Sequence, residues 1–198
     1  MFDRKTYLIK ERIGLLKLTD TYDIFDAESG DQLAIALEEI SGFMKLLRFL
    51  VKKAMLPTTV NFYEGTEQDR GENPVLSIHR GFTLLRAKVL VLNAKGETIG
   101  YFKSKIFSLG GGFKVYDTND EQIADVSGDW KGFNFKLKTT TGKEIGVVAK
   151  KWGGIAKEMF TSADNYVVSL NDDVAKKPAY VKLLLAAGLA IDTIYKEN

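Results

Sequence analysis

Nine consecutive residues without a polar side chain, Leu183 to Ile191, lie near the C-terminal end of the sequence, between Lys182 and Asp192. As a helix they cover about 14 Å, against a hydrocarbon core of about 30 Å. Extending the count from Ala179 to Tyr195 reaches about 25 Å, but only by taking in Lys182 and Asp192. A charge of that kind at the centre of a membrane helix costs about 2.5–3.5 kcal/mol. At 100° per residue, Val181, Leu185 and Leu189 cover one side, Leu184, Ile191 and Tyr195 a second, and Leu183, Ala187 and Ile194 a third. A helix that is apolar all round is buried all round, in a bilayer or in a protein. The spacing favours the protein interior, with a core helix at about 178–196 filled by Leu184, Leu185, Leu189 and Ile191. Ala186, Ala187, Gly188 and Ala190 thin it where it must pass a tight wall.

The rest of the chain supplies the wall. Tyr22 to Glu39, Lys88 to Lys105, Phe113 to Asp129 and Phe133 to Lys151 each read as alternating run, polar turn, alternating run. Further strands are expected near Thr6 to Leu18, Thr59 to Glu64, Val75 to His79 and Tyr166 to Leu170. About a dozen antiparallel strands can close into a barrel with an apolar interior. Such a barrel accommodates the helix. The polar segment Glu64 to Pro74 is a surface loop, so residues 1–198 read as one all-β domain with helices.

Composition narrows the chemistry. The chain has no cysteine, which excludes disulfides, thiolate metal sites, cysteine nucleophiles and palmitoylation, and suits a cytoplasmic setting. A net charge of +2 does not argue for nucleic acid. Only three apolar residues separate Lys5 and Thr6 from Lys10, so no signal-peptide core is expected there. The single histidine, His79, lies in an apolar run and reads as a strand residue, not a catalytic base. The glycines of Ser108 to Val115 lead into an alternating strand rather than a helix, so they read as a turn and not a phosphate cradle. Asp117 to Ile123 shares Asp-x-Asn-x-Glu with a calcium loop, but Gln122 replaces the required glycine and Gly128 the closing glutamate. Trp130 and Trp152, each beside a lysine, read as packing residues of the barrel. No enzymatic reaction is expected from these residues.

The segment TSADNYVVSLNDDVAKKPAYVKLLLAAGLAIDTIYKE resembles the C-terminal end of the phospholipid scramblase family, where an Asp-Asn-aromatic strand runs into a hydrophobic helix with an Ile-Asp pair. SKIFSLGGGFKVYD and GDWKGFNFKL are similar to bacterial members of that family and to the LURP-one-related proteins. The resemblance extends from about Tyr22 onward. It implies a tubby C-terminal-like fold of twelve strands threaded by a central helix, and functions in lipid binding, lipid scrambling or partner contacts. It also implies a calcium segment, for which Asp164, Asn165, Asp172 and Asp173 are the candidate ligands. Ser162 stands where the family's first carboxylate would be, so calcium is expected to bind weakly.

Ile40 to Pro57 is the most suggestive element. Lys45, Arg48 and Lys52 share one helical face, Lys53 lies beyond it, and no acidic residue falls in the segment. Basic amphipathic helices bind membrane surfaces or partners. The same pattern also suits a helix that caps the barrel, with Phe43, Leu47, Leu50, Val51 and Ala54 turned inward. Lys45, Arg48, Phe49, Lys52 and Lys53 are therefore the candidate anionic-lipid residues. The expected function is a non-enzymatic lipid- or membrane-associated module, cytoplasmic or peripheral to a membrane. Two alternatives stand beside it: a scramblase that moves lipid between leaflets, and a soluble protein-binding scaffold.

Overall fold

The computed structural model describes residues 1–12, 19–47, 49–51, 55–82, 88–105, 111–129, 131–150 and 165–195, with side chains to Asp192 in the last of these. Arg48, Lys52, Lys53, Ala54, Trp130, Trp152, Ser162 and Asp164 lie outside the described residues, as do residues 13–18 of the first expected strand.

Twelve strands form the wall. They are β1 (Thr6–Glu11), β2 (Thr21–Asp26), β3 (Gln32–Glu39), β4 (Thr58–Glu64), β5 (Leu76–Arg80) and β6 (Lys88–Asn93). The second half continues with β7 (Thr98–Ser104), β8 (Gly112–Tyr116), β9 (Gln122–Asp129), β10 (Asn134–Lys138), β11 (Glu144–Ala149) and β12 (Asn165–Leu170). Each strand pairs antiparallel with its sequence neighbours, and β1 pairs with β12, from Thr6 opposite Ser169 to Lys10 opposite Asn165. The barrel is closed, which leaves no free strand edge. Among the described residues, three helices complete the fold: α1 (Gly42–Leu47), α2 (Asp172–Ala175) and α3 (Pro178–Tyr195).

Alternation sets the lining. Across β1, β2 and β3, the inward side chains Ile9, Ile24 and Ala34 stand in register, and on the far side Val115 faces Phe102 on β7 and Ala124 on β9. α3 fills the space they enclose. Val181, Leu184, Leu185, Ala186, Ala187, Leu189, Ala190 and Ile191 are all fully buried within one cluster with the lining. The twelve-stranded barrel around a buried C-terminal helix agrees with the tubby C-terminal-like fold that the resemblance implied.

Close approach explains the small residues. A Cβ added to Gly188 would lie 2.5 Å from Cγ2 of Val168 on β12. On β7, one added to Gly100 would meet the Leu183 side chain at 2.7 Å. These glycines let the helix touch the wall directly.

One charge is buried with the helix. Asp192 is 4% exposed and accepts a 2.8 Å hydrogen bond from the Tyr22 hydroxyl. The Tyr166 hydroxyl is fully buried and has no hydrogen-bond partner among the described residues. Burial, and then the nearby Asp192 carboxylate, push both tyrosine hydroxyls well above their ordinary pKa.

Candidate membrane-binding rim

Because the strands run up and down in sequence order, their connections alternate between the two ends of the barrel. Residues 12–20, 40–57, 81–87, 105–111, 130–133 and 150–164 join strands at one rim. Residues 27–31, 65–75, 94–97, 117–121 and 139–143 join them at the other. The sequences of the first set hold 12 Lys or Arg and 3 Asp or Glu; those of the second hold 3 and 9. Large apolar residues divide in the same way. The first set has 26 Ile, Leu, Val, Met, Phe or Trp among 60 residues, the second only Val75 among 30. One rim is basic and apolar; the other is acidic and polar.

Exposure singles out the basic rim. Six large hydrophobic side chains are exposed among the described residues, and five of them lie there: Phe43, Leu46, Phe49, Leu50 and Phe82, between 61% and 79% exposed. The sixth, Tyr180, lies at the other end at 36%. Soluble proteins seldom group large exposed apolar side chains without a binding role.

α1 departs from the expected helix. Its regular part spans only Gly42–Leu47, and Phe49 to Val51 continue as turns bonded back to Leu46 and Leu47. Ser41 starts it, its Oγ accepting the Met44 amide at 3.3 Å. No α1 side chain is buried. A helix this short draws most of its stability from packing, and α1 packs only partly, through the half-buried Met44 and Leu47. The inward-facing cap is corrected with it: Phe43 and Leu50 point outward, while Leu47 and Val51 are half-buried. Of the candidate lipid residues, Lys45 and Phe49 are both exposed.

The roots of this connection are braced. Glu38, one residue before the end of β3, is buried and accepts the Asp20 amide at 2.9 Å and the Thr58 hydroxyl at 3.3 Å. Arg80, also buried, reaches the Leu56 carbonyl at 3.4 Å. Glu39 accepts the Tyr63 hydroxyl at 2.9 Å. Glu38 thus works inside the barrel end, as a buried acceptor rather than a surface charge. Sequence order alone had no means of separating these two roles.

Two rim cations are matched by the outer wall. Arg12 binds Asp23 through two 2.7 Å contacts and also pairs with Glu67, from a loop that leans back along the barrel. Lys105 meets Asp125 at 2.6 Å.

Of the candidate calcium ligands, the described Asn165, Asp172 and Asp173 do not converge. Asn165 opens β12 and is buried, whereas Asp172 and Asp173 lie beyond the strand's other end, roughly 20 Å away at strand rise. Asp172 binds Lys5 at 2.8 Å and Asp173 binds Lys143 at 3.1 Å. The hydrogen bond and charge of Lys5 lower the Asp172 pKa. Asp117 spends its carboxylate on the amides of Asn119 and Glu121, closing the β8–β9 turn. His79 bonds Thr59 on the neighbouring strand at 3.0 Å, as a wall residue.

The Scramblase family model matches residues 20–198. The chain belongs to the Scramblase family. A human relative, phospholipid scramblase family member 5, is 22% identical over 173 residues, covering 83% of this chain. This scramblase-family chain spans 63% of that relative's length. No solved structure matches it. Among the described residues, no helix is long and apolar enough to cross a membrane.

Proposed function

We propose that this scramblase-family protein is a non-enzymatic lipid-binding module that docks its basic, apolar rim on an anionic membrane surface. The observation that carries this reading is the concentration of five of the six exposed large apolar side chains on the rim whose connections hold 12 basic and 3 acidic residues. Lys45, Arg48, Lys52 and Lys53 supply roughly 4 kcal/mol at an anionic surface, about millimolar affinity on their own. Partial burial of Phe43, Phe49 and Leu50 in the headgroup region adds about 1–2 kcal/mol each. Together they reach roughly micromolar binding. Charge draws the rim to the surface and the aromatic side chains hold it there.

The test is cosedimentation with vesicles of phosphatidylcholine, with and without phosphatidylserine, across a salt series. Binding should require the anionic lipid and fall as salt rises. A wild-type protein that ignores anionic vesicles at low salt overturns the reading and leaves a protein-binding scaffold.

Lipid scrambling is the second reading, favoured by family membership and by the name of the human relative. The position of α3 bears on it. The helix fills the barrel, which argues against a lipid route through the interior and puts any transfer at the rim or along the outer wall. A dithionite-quenching assay on labelled vesicles separates the two readings: the docking module binds without moving lipid.

A further inference from the structure

The acidic rim contains one basic exception. Where α3 enters the barrel, a cavity of about 700 Å³ opens between the start of β9, the β10–β11 turn and the α2–α3 junction. Its floor is apolar, formed by the buried Ile145 and Val174 with Ile123 beside them. Its mouth carries Lys143, Lys176 and Lys177 against a single lining carboxylate, Asp173. Lys143 already holds Asp173 at 3.1 Å, whereas neither Lys176 nor Lys177 forms an ion pair with a described residue. Tyr180 gives one side an aromatic face, with the Lys177 ammonium 5.4 Å from its ring centre. Two lysines outside any ion pair with a described residue, Lys176 feeling only the more distant charge of Asp172 one turn back, lie beside an apolar floor of small-molecule size and match a compact dianion joined to a flat or apolar body.

We propose that this pocket binds a soluble phosphomonoester bearing a small apolar or aromatic group. Lys176 and Lys177 hold the phosphate at the mouth, and the body lies between Tyr180 and the floor of Ile123, Ile145 and Val174. Phosphate fits these donors better than a carboxylate, because two separate ammonium groups can each take a different oxygen of a double negative charge. The pocket opens on the rim opposite the exposed aromatic patch, so a docked barrel presents it to water. Its existence does not rest on membrane docking.

The experiment is an amide-shift titration of the full chain with phenyl phosphate, inorganic phosphate, benzyl alcohol and dioctanoyl phosphatidic acid. Phenyl phosphate should give saturable shifts at Thr139 to Lys143 and at Lys176 to Tyr180. It should bind several times more tightly than inorganic phosphate, and benzyl alcohol should not saturate. The double variant K176E/K177E should weaken phenyl phosphate roughly tenfold or more while the melting temperature holds. The variant F49E, on the opposite rim, should leave the titration unchanged. No saturable shift by about 10 mM phenyl phosphate overturns the proposal. So does an unaffected double variant, or equal affinity for inorganic phosphate. Tighter binding of the phosphatidic acid than of phenyl phosphate overturns the assignment to a soluble ligand.

Discussion

The two rims of this barrel are built from the same strands, yet they have opposite chemistry. At one, four of the five connections are turns of four or five residues that close on themselves: Asp26 accepts the Glu28 and Ser29 amides, and Asn93 accepts those of Lys95 and Glu97. Their carboxylates and amides are spent on geometry, and their side chains are polar. At the other rim, connections of up to 18 residues are rich in cations, and there the barrel leaves Phe43, Leu46, Phe49, Leu50 and Phe82 exposed. Turns that only need to reverse the chain select Asp, Asn and Gly. The excess of Phe, Leu and Lys at the basic rim answers no such need. α3 ties the rims together, entering at the acidic end and placing Asp192 under the basic one beside Tyr22 and Tyr166.

The largest effect is expected from removing the apolar part of the contrast. The triple variant F43E/F49E/L50E should weaken binding to phosphatidylserine vesicles by about 1000-fold, through lost insertion and added repulsion. Its melting temperature should stay near wild type, because all three side chains are exposed. A variant that still binds moves the membrane surface away from this rim.

The next effects concern α3, which holds the rims in place. Leu184→Ala, at a fully buried position, should cost about 2–5 kcal/mol in denaturant unfolding. Gly188→Val should cost about 2–3 kcal/mol, since a side chain there meets Val168. A neutral Gly188→Val would mean that the helix does not press against β12. Tyr22→Phe removes a donor from the buried Asp192 carboxylate and should cost about 1–3 kcal/mol.

An alkaline limit follows from the buried hydroxyls. Tyr22 and Tyr166 have folded pKa values raised well above the unfolded value near 10, and burial lifts Tyr7 to about 12. A raised pKa means that the folded state keeps its protons where the unfolded state loses them. Their contribution to stability is therefore complete below about pH 10 and declines as pH rises above it. Ultraviolet titration should show these tyrosinates forming only with unfolding. Early, fully reversible ionisation of all eight tyrosines in the folded protein would contradict their burial.

The smallest effect tests the other side of the comparison. Reversing Glu28, Glu97 and Glu121 to lysine, all exposed on the acidic rim, should change vesicle binding less than about twofold. A large gain would show that net charge, and not the built rim, governs binding.

Much of the fold was legible because its signals are local. Strand alternation marked the hairpins, and the unbroken apolar run from Leu183 to Ile191 marked a helix needing an enclosure. The extent of α1 was not legible, since Ile40 to Leu56 has helical composition throughout, yet the regular helix spans Gly42–Leu47 and buries none of its side chains fully. Asp192 read as a defect in an apolar helix; its partner Tyr22 lies 170 residues away, beyond any local pattern. The rims were hidden for the same reason. Their charges are scattered over eleven connections, and only the alternation of strand direction sorts them into two groups. Lys45 to Lys53 was the visible fragment of that larger feature.

The most direct measurement exploits the absence of cysteine. Phe49→Cys on the basic rim and Lys95→Cys on the acidic rim each accept a single environment-sensitive fluorophore such as NBD. On adding phosphatidylserine vesicles at low salt, the label at position 49 should brighten and shift to the blue, while the label at position 95 keeps its aqueous spectrum. A blue shift at position 95, or an aqueous spectrum at both positions with the protein bound, would contradict the account.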